Sequence, residues 1–227
     1  LLQNLADVLN KLPGEPGKEY TVLAISFDET EKPSLALQKK GIHVPSQTSK
    51  ILSKLTGIIT KYKPRQLVVL GDVKYTVVSS ELGEWNDVPD FFSKLQVYVD
   101  DISIVRGNHD ANIEPLLPEK VKLLPASGTI IGDVGIFHGH KWPSPLLLKC
   151  KTLVMGHLHP VVVFRDPAGF KILRQVWMKA NSNAEALANI LLEKHDIKIE
   201  GTASETLQNH YNIKPKTTEI LIMPSFN

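Results

Sequence analysis

Thr152-Leu153-Val154-Met155-Gly156-His157-Leu158-His159-Pro160 is the stretch on which the reading of this chain turns. It begins as an apolar run of the kind found in a buried strand and ends in two histidines two residues apart. In extended chain, successive side chains alternate between faces, so both imidazoles are expected on one side. Gly156 removes a side chain where the backbone must pass close to a neighbour. Pro160, which has no N–H, is expected to stop regular ladder bonding. Two neutral imidazoles aimed at one point are a natural pair of metal ligands.

Upstream, strands and helices alternate. Residues 20–27 read as a buried strand that runs into Asp28. Between residues 45 and 63, Ile51, Leu52, Leu55, Ile58, Ile59 and Tyr62 keep helical spacing, and Pro64 breaks that helix. Gln66-Leu67-Val68-Val69-Leu70 is a continuous apolar run, as in a central parallel strand. A helix is expected over residues 88–99, with Asp87 as N-cap and Pro89 in its first turn. Ile102-Ser103-Ile104-Val105 is the next strand. This alternation implies right-handed crossovers and a largely parallel sheet.

Beyond residue 125 the texture changes. Thr129-Ile130-Ile131, Gly132-Asp133 and Val134-Gly135-Ile136-Phe137 spell a tight hairpin. A second hairpin is expected around residues 166–169, between 161–165 and 171–177. The second half is therefore expected to be mostly antiparallel, as a second sheet packed on the first. Residues 183–194 read as an Ala/Leu helix and residues 219–223 as a last strand. Residues 1–12 have the spacing of an amphipathic helix, without the basic start of a signal peptide. No linker divides the sequence, so one domain over residues 1–227 is expected, with a helical insertion at about 181–216. Its apolar positions Ala184, Leu187, Ala188, Leu191 and Leu192 suit docking on the sandwich, a dimer contact being the alternative.

Composition bounds the function. With 227 residues, 42% hydrophobic and 22% charged, the chain has the make-up of a soluble globular protein. A formal net charge of +2 does not indicate an electrostatic nucleic-acid binder, although a nuclease can rely on metals and a local groove. The one cysteine, Cys150, excludes an internal disulfide, and no apolar run reaches the roughly 20 residues needed to span a bilayer. The expectation is a reduced, cytoplasmic protein without a membrane partner.

Acidic, amide and imidazole residues recur after the strands. Gly71-Asp72 follows residues 67–70, Gly107-Asn108-His109-Asp110 follows 102–105, His138-Gly139-His140 follows 135–137, and Gly156-His157-Leu158-His159 follows 152–155. The carboxyl ends of strands are where open α/β sheets gather ligands. First-row divalent ions such as Mn, Fe or Zn accept imidazole and carboxylate together. Two such ions about 3.5–4 Å apart can clamp a phosphoryl group.

Taken in order, Asp28, Gly71-Asp72, Gly107-Asn108-His109-Asp110, His138-Gly139 and Gly156-His157-Leu158-His159 resemble the calcineurin-like metallophosphoesterase superfamily. Gly41-Ile42-His43-Val44-Pro45 and the closing Pro224-Ser225-Phe226-Asn227 are similar to its ICC-like predicted phosphoesterases. The resemblance covers residues 20–180 and returns at the last strand. It implies a four-layer α/β/β/α sandwich of two mixed sheets around two divalent ions, Mn first among Mn, Fe, Zn and Ni. Asp72 would bridge the ions, Asn108, His138 and His157 would complete one site, and Asp28 and His159 would hold the other. His109 would protonate or support the leaving oxygen, Asp110 would orient its ring, and a bridging hydroxide would attack in line.

The sequence departs from the family at one ligand. The first motif is Asp-x-His in the family, and Thr30 stands at the histidine position here. A neutral hydroxyl binds these ions weakly, so Glu29, Glu31 or His43 is the substitute, or the Asp28–His159 site is weak, differently populated or empty. The expected activity is hydrolysis of a phosphomono- or phosphodiester of unspecified identity. The alternatives are a metal- or nucleotide-binding derivative with weakened catalysis, and a DNA or RNA nuclease. Lys74 and Tyr75 are candidates for phosphate contact or for an exposed loop. Trp85, Trp142 and Trp177 read as packing residues, with Trp142 placed to line a pocket.

Overall fold

The computed structural model describes residues 22–27, 48–74 and 82–226. Asp28, the segment from Glu29 to Glu31 with Thr30, His43, Tyr75 and the helix expected at residues 1–12 lie outside them. The chain forms two compact units. The first comprises Leu1–Ile104, Asn108–Leu123 and Phe226–Asn227; the second comprises Val105–Gly107 and Leu124–Ser225.

The first unit is built on a four-stranded sheet in the order β1 (Val22–Ile25), β2 (Gln66–Val69), β3 (Asp101–Val105) and β4 (Val121–Leu124). β2 lies parallel to both β1 and β3, with Val69 opposite Ile25 and Ile104. Leu67, Val68 and Val69 are buried on both faces, which is why an uninterrupted apolar run marks this strand. Helix α1 (Thr48–Tyr62) turns Leu55, Ile59 and Tyr62 inward. Helix α2 (Leu82–Leu95) adds Val88, Phe91, Phe92 and Leu95 to the same core. Each fully buried side chain of this size contributes about 1.5–3 kcal/mol.

Helix α2 corrects one expectation. It starts at Leu82, so Asp87 is not its N-cap, and Pro89 lies inside it rather than in its first turn. An interior proline costs about 3 kcal/mol of helix propensity. Burial of Val88, Phe91, Phe92 and Leu95 on both sides of Pro89 outweighs that cost. Asp87 instead accepts a long hydrogen bond, 3.5 Å, from the hydroxyl of Thr48 at the head of α1.

In the second unit, a five-stranded sheet runs β10 (Met178–Asn181), β11 (Glu219–Ile222), β7 (Thr152–Met155), β6 (Val134–Phe137) and β5 (Thr129–Ile131). The β5–β6 hairpin is as the sequence predicts, with Ile131 opposite Val134 across Gly132-Asp133. The expectation of a mostly antiparallel sheet fails at its centre. β7 is parallel to both β6 and β11, and only the outer pairs, β5–β6 and β10–β11, are antiparallel. The reason is the connections. The chain from β6 to β7 crosses over through a 3-10 turn at Pro145–Lys149, which the Ser144 side chain caps, and crossovers return strands parallel.

Strands β8 (Val161–Arg165) and β9 (Lys171–Gln175) form the second expected hairpin, as a sheet of their own. Pro160 does not end the ladder there. β8 begins at the next residue, and the Pro160 carbonyl accepts the N–H of Val176 at 2.9 Å. A missing donor leaves the acceptor intact.

Helix α3 (Ala184–Lys194), capped by Asn183, buries Ala188, Leu191 and Leu192 with Phe137, Leu148 and Leu153. Helix α4 (Ala203–Tyr211) starts on a capping box between Thr202 and Glu205. Glu185 on α3 accepts both the backbone N–H and the hydroxyl of Ser204 on α4.

Candidate metal centre

Each unit carries part of the expected ligand set. In the first, parallel pairing of β2 and β3 sets Gly71-Asp72 beside the segment that starts at Asn108. Gly71 and Asp72 both have left-handed backbone, with φ of 72° and 54°. For Asp72 that conformation is strained, and strain persists only where surroundings hold it. Asp110, fully buried, supplies the hold. Its Oδ2 accepts the N–H of Asp72 at 2.9 Å, and its Oδ1 accepts those of Val73 at 2.9 Å and Lys74 at 3.3 Å. In return, Oδ1 of Asp72 accepts the backbone N–H of His109 at 3.1 Å. The two loops clamp each other, and the carboxylate of the buried Asp72 is fixed in direction. His109 is also buried, and Asn108 is half-buried.

Lys74 is not the exposed loop residue that one sequence reading allowed. It is 1% exposed, and its ammonium donates to the Ala111 carbonyl at 2.7 Å. The contact ties the loop after β2 to the residue following Asp110. Sequence reasoning missed this role, and the only signal was the position of Lys74 two residues after Asp72.

In the second unit, β6 and β7 pair with Phe137 opposite Met155, so His138 and His157 leave the sheet side by side. The Gly156 N–H donates to the His138 carbonyl at 3.0 Å. The N–H of Leu158 reaches back to the Gly156 carbonyl at 2.6 Å, closing a three-residue turn with His157, φ 58°, at its centre. His159 is left-handed too, at φ 41°. The strand therefore ends at Met155, and the pair is not the extended H-x-H that alternation predicts. This turn is a strained form, and its product is specific: Nε2 of His138 stands 3.1 Å from Nδ1 of His157. His138 is wholly buried, and the His140 ring packs on it with centroids 5.2 Å apart.

Gly139 makes the pairing possible. Its φ is 120°, and a Cβ there would come within 2.7 Å of Met155 Cε and 3.2 Å of His157 Cβ. Only glycine leaves that space to the His157 side chain. The tryptophans are not interior packing residues. Trp85, Trp142 and Trp177 are each 39–52% exposed, and the Lys194 ammonium lies 5.7 Å from the Trp142 ring centre. His195 bonds through Nε2 to the Pro143 carbonyl at 2.9 Å. Burial, more than Asp133, raises the Cys150 thiol above its ordinary pKa, as for an inert structural cysteine.

The sequence profile of calcineurin-like phosphoesterases matches residues 42–199. The chain belongs to that family. Calcineurin-like phosphoesterases are generally metal-dependent hydrolases, and the paired imidazoles of His138 and His157 are a cluster able to bind metal. The expected fold class holds in the same sense: a mixed α/β chain of calcineurin-like fold. No curated protein matches the chain. Among solved structures it is similar to a Pseudomonas putida nuclease, MPE, at 18% identity and a TM-score of 0.43, over 66% of this chain. That match spans 65% of the nuclease, just under two thirds of its length. It is also similar to the Escherichia coli phosphoesterase YfcE, at 18% identity, covering 64% of this chain and 73% of that one, with a TM-score of 0.38. Vps29 from Entamoeba histolytica matches at 16% identity, covering 67% and 71%, with a TM-score of 0.33. Among the described residues, no helix is long and apolar enough to cross a membrane.

Proposed function

We propose that this calcineurin-like phosphoesterase hydrolyses a phosphomono- or phosphodiester at a dinuclear metal centre. The observation that carries the reading is the 3.1 Å separation of His138 Nε2 and His157 Nδ1. Nitrogens about 2.0–2.1 Å from one ion stand roughly 3 Å apart as neighbouring ligands. Without an ion the same separation suits an N–H···N hydrogen bond. Both nitrogens can face one cation when each ring carries its N–H on the other nitrogen.

In this proposal Asp72, Asn108, His138 and His157 hold one ion, and Asp28 and His159 hold the second with Asp72 shared. The order of motifs along the chain supports that division. Imidazole with carboxylate suits Mn, Fe, Zn or Ni, with Mn taken first. Two divalent ions, when bound, neutralise charge on a phosphoryl group and acidify water near neutral pH. His109 protonates the leaving oxygen. Asp110 acts through the backbone, keeping Asp72 and His109 in mutual register. Thr30 leaves the second site one imidazole short, so it is the weaker of the two. A buried lone thiol fits a reducing compartment such as the cytoplasm.

The test is hydrolysis of mono- and bis-p-nitrophenyl phosphate with added Mn. Turnover of one of them, reduced at least about 100-fold in His109→Ala, supports the reading. Failure to turn over either ester, across Mn, Fe, Zn and Ni, overturns it.

A further inference from the structure

Lys74 carries a charge into the interior, at 1% exposure. Taking an ammonium out of water costs more than one hydrogen bond to a neutral group returns. An apolar side chain of like volume would fill the same space without that cost. What the lysine adds over such a side chain is a directed bond, from its Nζ to the Ala111 carbonyl at 2.7 Å. That bond completes a run. His109, Asp110 and Ala111 are successive residues, and each is tied to the segment 72–74. The His109 N–H donates to Oδ1 of Asp72, and the Asp110 carboxylate accepts the N–H groups of Asp72, Val73 and Lys74. The Ala111 carbonyl accepts the Lys74 ammonium. Lys74 thus takes part twice, from its main chain to Asp110 and from its side chain to Ala111. The Asp110 carboxylate reaches its partners through rotatable side-chain bonds. The Ala111 bond is made to the main chain itself, and so limits rotation of the turn that carries the buried His109.

We propose that Lys74 is a positioning residue for His109, its bond to Ala111 holding the main chain that carries the leaving-group imidazole. The chemistry in this proposal rests on the phosphoesterase reading, whereas the positioning rests on the hydrogen bonds alone. A direct phosphate contact has less support, because the ammonium is closed off from solvent and given to Ala111. Lys74 acts through the backbone of its neighbours, so its loss misaligns the proton donor without removing it.

Lys74→Met, which keeps the bulk and loses the donor, tests this in two ways. In the metal-free full chain, amide hydrogen exchange at His109 and Asp72 is expected to quicken about 10-fold or more. The amides of β2 and β3 are expected to stay as protected as in the wild type. No acceleration overturns the proposal, and so does an equal acceleration everywhere, which makes Lys74 a residue of general stability. This arm needs no turnover, so it decides the positioning even where no ester is hydrolysed, an outcome that overturns only the phosphoesterase reading. With Mn present, phenyl and p-nitrophenyl phosphate esters are compared. Phenolate is the poorer leaving group and depends more on a proton donor, so the fall in kcat is expected to be about 10-fold larger for the phenyl ester. KM is expected to stay unchanged. Adding Lys74→Met to His109→Ala is expected to slow that variant no further, since the two residues act as one unit. Equal losses on the two esters, or additive losses in the double variant, overturn the proposal. Lys74→Gln, whose N–H donor is one atom short of the ammonium, is the second variant. It is expected to show the same pattern at smaller size, and decides the matter by the same outcomes if Lys74→Met does not fold.

Discussion

Oδ2 of Asp110 accepts the backbone N–H of Asp72 at 2.9 Å, and Oδ1 of Asp72 accepts that of His109 at 3.1 Å. A residue proposed to bind metal and the segment proposed to handle the leaving group thus hold each other through main-chain contacts. Removing the Asp110 carboxylate strands three N–H groups, those of Asp72, Val73 and Lys74, in a buried loop. Asp110→Ala is therefore expected to lose roughly 3 kcal/mol of stability, and Asp110→Asn less, because an amide oxygen still accepts. Urea denaturation measures it. A loss below about 0.5 kcal/mol for Asp110→Ala would show that the clamp contributes nothing net.

Gly139→Ala should damage the site as well as the fold. The new methyl meets Met155 Cε, which can turn away, and His157 Cβ, which cannot without moving its imidazole. Gly132→Ala is the control, since its φ of 60° carries similar strain but nothing lies within 4 Å of the added carbon. Both are expected to cost about 1–3 kcal/mol. Only Gly139→Ala is expected to weaken Mn binding, by roughly 10-fold or more. Equal Mn affinity in the two variants would remove Gly139 from the account of the site.

The parts of this structure legible in sequence are those where one signal dominates. Continuous burial made β2 readable, Gly132-Asp133 marked the β5–β6 hairpin, and the Ala/Leu spacing gave α3. Other parts have no local signature. The start of α2 was misplaced because Pro89 reads as a first-turn residue, while the burial that overrides it comes from long-range contacts. β10, Met-Lys-Ala-Asn, is exposed at every position and so has no alternation to detect. The capping box Thr202–Glu205 would have marked α4. Site residues were readable by type, since Asp72, His138 and His157 stand in recognisable motifs. Their conformation was not readable, because the turn at His157 is closed by main-chain bonds.

Stability at acid pH carries a signature of the α3–α4 contact. The hydroxyl of Ser204, and then backbone N–H groups of Ser204 and Ala203, hold the Glu185 carboxyl below its ordinary pKa. A lowered folded-state pKa stabilises above the unfolded value and is lost as pH falls through the folded one. Glu185→Gln should therefore flatten the fall in melting temperature below about pH 4.5. Parallel curves for variant and wild type would contradict this.

Cys150 is buried and its thiol is held protonated by burial. A disulfide reagent is expected to modify it slowly in the native protein and at once in denaturant. Fast native labelling would mean that the packing around Leu147 and Leu148 opens readily.

The central claim is that His138 and His157 bind metal, and calorimetric titration of metal-stripped protein with Mn tests it most directly. The account predicts at least one ion per chain for the wild type, with affinity falling 10-fold or more in His157→Ala while its circular dichroism is unchanged. Two ions would mean that Glu29, Glu31 or another group replaces the imidazole missing at Thr30. Absence of binding to the wild type, or a His157→Ala variant that binds Mn as tightly, would contradict the account.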